Sequence, residues 1–343
     1  KLTEEDYNNN GMAQLAVERG PVYNINIAIF NKLQATITGW PGGKPDSDDS
    51  QRPERAQPSK KRIILFSPHP DDDVISMGGT FIRLVDQGHD VNVAYQTSGN
   101  TAVWDEDALR FMEFNIDFSK SQNQKVDTLT AIYNDTRKFL ETKQPNQPDT
   151  LELRLVKGII RKGEASAGAR FAGLSDKQIH FMDLPFYDRS KTSKTISYED
   201  DILQTMDLLQ AIKPHQVFAA GDFADPHGTH KICFNILLEA IYRLRKTEEW
   251  TKDCWLWLYR GAWHEFEIDE IEMAVPLSPK EVLRKRLAIF KHQSQKDVPV
   301  FPGDDAREFW VRAEDRTSET ARAYNDLGLA EYEAIEAFVR WKF

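Results

Sequence analysis

The stretch Ile63-Ile64-Leu65-Phe66-Ser67-Pro68-His69-Pro70-Asp71-Asp72-Asp73 decides how the chain is read. Four consecutive apolar residues, with Lys60-Lys61-Arg62 before them and Ser67-Pro68 after, suit a strand buried on both faces, as in a parallel sheet. Beyond it, Gly78-Gly79 leads into a helical stretch ending near Gly88, and Val91-Asn92-Val93-Ala94-Tyr95 reads as a second strand. Strand, loop, helix and strand within about 35 residues fit a βαβ crossover. The loop after the first strand is not G-x-G-x-x-G, so the usual dinucleotide fingerprint is missing.

The pattern continues outward. Residues 105–174 read as mainly helical, with a Pro-rich break at 145–148. Ile179-His180-Phe181-Met182 is a third strand, followed by a helix over 198–213 and a strand at Val217-Phe218-Ala219-Ala220. A helix over 229–246 precedes a strand at Trp255–Tyr259, and helices near 279–292 and 305–341 follow. This alternation predicts an α/β protein: a Rossmann-like open, mostly parallel sheet with helices on both faces. Upstream, residues 1–41 form a helical segment of one or two short helices, with Thr3 capping an acidic first turn. Residues 42–60 hold no branched aliphatic or aromatic side chain and read as an extended linker, so the main domain spans 61–343.

Composition excludes several classes. Of the 343 residues, 44 are Lys or Arg and 54 Asp or Glu, a net charge of −10 that disfavours nucleic acid and anionic membranes as partners. No apolar run approaches the ~18 residues of a membrane span. A hydrophobic content of 40 %, with 19 Phe, 10 Tyr and 8 Trp, supports a sizeable core. Two cysteines, Cys233 and Cys254, make neither a disulfide framework nor a structural zinc cluster, and a cytoplasmic location is expected. The chain starts at Lys1 without a signal-like segment, which reads as the interior of a longer gene product or as a processed one.

Two polar clusters carry the chemistry. Ser67–Asp73 follows the first strand, at the sheet edge where open α/β folds bind ligands. Three carboxylates and an imidazole within five residues are costly to bury without a counter-charge, which a divalent cation supplies. Pro70 restricts the turn so that His69 and Asp72 can aim at one point with Asp71 beside it. Taken alone, the string also suits a solvated acidic turn capping a helix. The second cluster, Asp222-Phe223-Ala224-Asp225-Pro226-His227-Gly228-Thr229-His230, also follows a strand; taken alone, it is a loop with two surface histidines. Together at two strand ends they favour a metal. Two His and one Asp with an open fourth position match a catalytic zinc site. A spare carboxylate can take the proton from the zinc water and a spare histidine can stabilise an oxyanion, which completes the parts for amide hydrolysis. A two-His-one-carboxylate iron site also fits the residue types but needs an oxidisable substrate.

SPHPDDDVISMGGT together with DPHGTH resembles the LmbE-like, or PIG-L, family of zinc-dependent N-acetylglucosamine deacetylases, over roughly residues 61–295. The resemblance implies His69, Asp72 and His230 as metal ligands, Asp71 as general base and His227 as the group that polarises the tetrahedral intermediate. It implies Zn2+, with Fe2+ or another divalent ion as alternatives, and a small amino sugar as substrate. Asp73 replaces the family's usual Glu and stands behind the ligands. Asp225, or failing it Asp222, is expected to support His227 through a hydrogen bond. Arg161-Lys162-Gly163-Glu164-Ala165 is similar to the family's Arg-x-x-Glu-Ala helix, whose Arg reaches substrate; an exposed Arg with an i+3 Glu is the plainer reading. Leu184–Asp188 resembles the loop after the third strand, and Lys291-His292-Gln293-Ser294-Gln295 a late signature in which His292 reads as structural.

Residues 1–40 resemble the C-terminal end of a glucosamine-6-phosphate deaminase fused to an LmbE-like domain. That resemblance implies a covalently fused deaminase and deacetylation of an N-acetylglucosamine derivative, with 6-phosphorylation resting on the fusion alone. Arg161, Arg170, Arg189, Lys191 and Lys194 are the cations that could meet such a phosphate. A non-catalytic sugar-binding or regulatory domain is the rival reading. A homo-oligomer is compatible with the sequence, which does not specify one.

Overall fold

The computed structural model describes residues 2–44, 60–145, 147–189, 198–223, 228–261, 264–296, 300, 305 and 307–343. The chain begins with helices α1 (Glu4–Asn9), α2 (Ala13–Arg19) and α3 (Val22–Thr36). Strand β1 (Arg62–Ser67), helix α4 (Asp72–Asp86) and strand β2 (Asp90–Tyr95) form the first crossover, followed by α5 (Asp105–Ser121), α6 (Asp127–Thr142) and α7 (Leu151–Ala172). Next come β3 (Ile179–Phe181), α8 (Phe186–Arg189), α9 (Glu199–Ile212), β4 (Gln216–Ala220), α10 (Thr229–Leu244) and β5 (Trp255–Tyr259). Strand β6 (Met273–Leu277), helices α11 (Pro279–Ile289) and α12 (Phe309–Asp326), and strand β7 (Ala334–Trp341) follow.

The seven strands lie in the order β3-β2-β1-β4-β5-β7-β6. The first five are parallel; β7 runs antiparallel to both β5 and β6. The chain leaves β1 toward β2 on one side and later returns to β4 on the other. The crevice at the carboxyl ends of β1 and β4 is therefore the topological switch point, where ligands of open α/β sheets bind. Because side chains alternate, each strand feeds two cores. Ile64, Phe66, Val217 and Ala219 pack with α9 and α10 on one face. Ile63, Leu65, Phe218 and Ala220 pack with α4, α7 and α11 on the other.

Three expectations are corrected. Residues 334–341 are not the end of a helix but strand β7, since α12 stops at Asp326. Met273–Leu277, unassigned from sequence, is strand β6. The segment before residue 40 holds three helices rather than one or two. The β7 segment lies between two partners and is buried on both faces, and pairing with neighbours overrides its helix-friendly Ala and Glu.

The N-terminal segment lies on the sheet edge. Leu33 joins the core, Thr36 hydrogen-bonds Tyr324 at 2.8 Å and Thr38 donates its N–H to Ala274 at 2.8 Å. Gly42 and Gly43, the first residues of the expected linker, are buried. A Cβ at Gly42 would lie 2.3 Å from His89 Nε2, so the chain packs directly on that ring. Residues 45–59 of the linker lie outside the described residues. Cys233 and Cys254 are both buried. Among the described residues, no helix is long and apolar enough to cross a membrane.

Helix α4 carries the first cluster and is itself anchored from behind. It leaves helical geometry at Met77 (φ −133°, ψ 25°). The buried Glu336 carboxylate of β7 accepts hydrogen bonds from Gly79 N at 3.0 Å and Thr80 N at 2.6 Å, capping the second half of the helix. Gly79 is required by close approach: its Cβ would fall 2.5 Å from Leu277. Lys285 of α11 donates to the same Glu336 at 2.8 Å.

Candidate metal centre

The turn after β1 is tied by Ser67. Its Oγ donates to the His69 carbonyl at 2.5 Å and accepts from Asp73 N at 3.1 Å. The turn places Asp71 as the N-cap residue of α4, and Asp72 and Asp73 in its first turn, where the helix dipole favours negative charge. Asp72 Oδ2 accepts from the His69 backbone N–H at 2.8 Å, so this carboxylate is oriented by its own turn. From the β4 side, Gly228 (φ +68°) opens α10 and His230 sits buried in its first turn. His230 Nδ1–H donates to the Asp222 carbonyl at 3.1 Å, which leaves the Nε2 lone pair facing the cluster. The Asp222 carboxylate accepts from the His264 backbone N–H at 2.9 Å, anchoring the carbonyl that orients His230.

Among the described residues, His69, Asp72 and His230 form a group able to hold a metal ion. Asp72 Oδ2 is 3.2 Å from His69 Nδ1 and 3.2 Å from His230 Nε2, and the two ring nitrogens are 3.3 Å apart. Ligands of a tetrahedral ion with bonds of about 2.0–2.1 Å are separated by about 3.3 Å. The three donors thus outline one face of such a tetrahedron, and the donor set fits zinc or a similar divalent ion. Burial alone would raise the Asp72 carboxyl, but His230 and then His69 outweigh it and hold the group below the usual carboxylate range.

Asp71 stands beside the triad in a different state. Burial pushes its carboxyl up against the opposing charge of Arg161, whose Nη2 lies 3.0 Å from Asp71 Oδ1. Arg161 is only 1 % exposed, so it is neither an exposed helical Arg nor, in this structure, turned to an open cleft. Asp73 is not part of the triad. It accepts from Tyr95 Oη at 3.0 Å, and burial pushes its carboxyl up to about 7. His227 and Asp225 lie outside the described residues, as do Lys191 and Lys194. Arg170 pairs with Asp176 at 2.7 Å. His292 is buried and neutral, its pKa pushed down to about 3 by burial and then by Arg161. The reading of the sequence did not find Tyr95 or the Asp71–Arg161 pair, whose members are far apart in the chain.

A cleft of about 240 Å³ lies between α7 and the loops after β2 and β3, with Ser98, Asn100, Arg154, Lys162, Asp183 and Asp188 among its polar lining. Gly99, between two of these residues, leaves no room for a Cβ, which would lie 2.8 Å from Pro70 Cδ and 3.0 Å from Arg161 Nε, so the cleft adjoins the cluster.

A mostly parallel sheet with a His–Asp–His group at its switch point defines the class, an α/β protein with a group able to hold a metal ion where such folds bind ligands. The PIG-L family, GlcNAc-PI de-N-acetylase, matches residues 64–241, and the chain belongs to it. It is 52 % identical over 344 residues to a glucosamine-6-phosphate deaminase-like protein of Bacteroides thetaiotaomicron, an alignment covering 99 % of this chain and 52 % of that protein. The chain therefore spans about half the length of that relative. It is 26 % identical over 222 residues to the diacetylchitobiose deacetylase of Thermococcus kodakarensis, covering 57 % of this chain and 73 % of that one. The fold is shared with the N,N'-diacetylchitobiose deacetylase of Pyrococcus horikoshii, at a TM-score of 0.50 and 18 % identity, over 82 % of this chain and 84 % of that chain.

Proposed function

We propose that the chain is a metal-dependent amide hydrolase that removes the N-acetyl group from an N-acetylglucosamine-type sugar. The observation that carries this reading is the set of three ligand atoms 3.2–3.3 Å apart, with a fourth, differently bonded carboxylate beside them. His69, Asp72 and His230 would hold the ion. The chemistry an ion held there would supply is Lewis acidity, which would activate a water near neutral pH and polarise a carbonyl.

The protein's own residues do the rest. Asp71 is the base: Arg161 occupies Oδ1, so Oδ2 is the oxygen that takes the proton. Burial raises the proton affinity of this carboxyl, so Asp71 keeps the proton it has taken until the departing amine, a stronger base, claims it. Asp222, through its carbonyl, fixes the His230 tautomer and keeps Nε2 unprotonated. His227 is the proposed oxyanion donor. The cleft beside Asn100 sets hydroxyl, amide and charged groups that a sugar ring needs among apolar walls such as Leu151, Leu155 and Ile159.

The deacetylase relative in Thermococcus supports an acetylated amino sugar as substrate. A 6-phosphate and a fused deaminase are proposed on the Bacteroides relative, and a cytoplasmic location on the low cysteine content, two in the sequence. The test is acetate release from N-acetylglucosamine, its 6-phosphate and diacetylchitobiose, with metal content measured before and after chelation. We expect turnover that chelator removes and zinc restores. Stoichiometric sugar binding without acetate release would favour the non-catalytic reading.

A further inference from the structure

The two short motifs that the site did not absorb, Arg161–Ala165 and Lys291–Gln295, meet in the structure. Arg161, Glu164 and Gly168 lie at i, i+3 and i+7, on one face of α7. Glu164 uses both carboxylate oxygens on one residue, accepting from Ser294 N at 2.7 Å and Ser294 Oγ at 2.6 Å. One turn on, the His292 ring packs on Gly168, where a Cβ would lie 2.9 Å from Nε2. Gln295 Nε2 donates to the Ala102 carbonyl and to Ser294 Oγ. Ala102 belongs to the loop after β2, whose Gly99 would touch Arg161 Nε at 3.0 Å through a Cβ. One turn of chain, 292–295, is thus bonded to both walls around Arg161.

Arg161 needs such walls. Its Nη2 reaches Asp71, but Nε and Nη1 have no hydrogen-bond partner among the described residues. A four-torsion side chain held by one bond is not fixed by its own contacts. Its place is set by the rotation of α7 about its axis and by the loop pressed against it.

We propose that Glu164, Ser294 and Gln295 are positioning residues that clamp α7 and the β2–α5 loop together so that Arg161 stays on Asp71. The role of Asp71 as the base is the reading on which this rests. Glu164→Ala should lower kcat about 10–100-fold, with KM within about twofold and metal content unchanged, because misplacement near the chemistry costs rate rather than binding. Ser294→Ala keeps one of the two bonds and should lose about 3–10-fold, and Ser294→Thr should recover most of it. In an Arg161→Ala background, Glu164→Ala should cost nothing further, since both changes act through one group. A second readout needs no substrate. With selective ¹⁵N-arginine labelling, the Arg161 Nε–H signal, assigned by its loss in Arg161→Ala, should exchange with water at least about tenfold faster in Glu164→Ala. If Glu164→Ala fails to fold, Ser294→Ala carries both readouts. Unchanged kcat in both single variants, a full extra loss in the Arg161→Ala background, or an unaltered Arg161 signal overturns the clamp. If the wild type releases no acetate, the hydrolase reading falls, and the Arg161 signal alone decides the clamp.

Discussion

Helix α4 is gripped by two buried ion pairs, and they are built differently. At the Met77 kink, Glu336 takes donors from Gly79 N, Thr80 N and Lys285 Nζ, so both its oxygens are used. At the amino end, Asp71 meets one nitrogen of Arg161, and that guanidinium leaves two nitrogens unpartnered among the described residues. The saturated pair holds the fold. The under-bonded pair leaves one carboxylate oxygen outside the ion pair, and on the proposed reading of Asp71 as the base that incomplete bonding is where function overrides local satisfaction.

The contrast is open to attack from both sides. Glu336→Ala strands Lys285 as an unpaired buried cation and uncaps two N–H groups, so it should cost about 3–5 kcal/mol in denaturant unfolding. A cost below about 1 kcal/mol would mean that the pair is not what holds the kink. Asp71→Asn should lower kcat about 10²–10⁴-fold while leaving metal content intact. Loss of metal from that variant would make Asp71 a ligand and erase the distinction between the two carboxylates. Lys285→Met sharpens the comparison: Glu336 keeps two backbone donors, so the loss should be about 1–3 kcal/mol, smaller than for Glu336→Ala.

The smallest effect concerns a buried group away from both pairs. Burial, then the charge of Lys61, pushes His89 from an ordinary value of 6.5 down to about 4. The unfolded chain binds this proton below about pH 6.5, but the folded chain does so only near pH 4. The stability His89 contributes is therefore present above about pH 6.5 and lost as pH falls toward 4. Between pH 7 and pH 5, Tm should fall by a few °C more in the wild type than in His89→Gln, as read by thermal melts.

What the sequence made legible follows from distance along the chain. β1 and the turn after it could be read because the apolar run, prolines and carboxylates are contiguous, and β4 with His230 repeats that grammar. The triad closes because the sheet brings two such strand ends together. The pairs of α4 could not be read: Asp71 and Arg161 are joined only by the packing of α7, and Lys285 and Glu336 only by the placement of β7. The β7 segment hid for a related reason. Ile335, Ala337 and Val339 face one core while Ala334 and Phe338 face the other, a period of two. A charged Glu336 on the second face breaks that pattern until its partners are known. Pro276 similarly obscured β6, a tolerable position because β6 is the last strand of the sheet on that side.

The place of β7 has a consequence for synthesis. It follows every other element in order, yet it lies inside the sheet, between β5 and β6. A nascent chain that has emitted β6 and α12 has nothing to pair with β5 on that side, and the sheet cannot close until residues near 341 leave the ribosome. Such long-range pairing is slow and leaves strand edges exposed while it waits. A chain that has emerged only as far as α12 therefore already has His69, Asp72 and His230 outside the ribosome, but its α4 has not yet received the carboxylate that caps its kink.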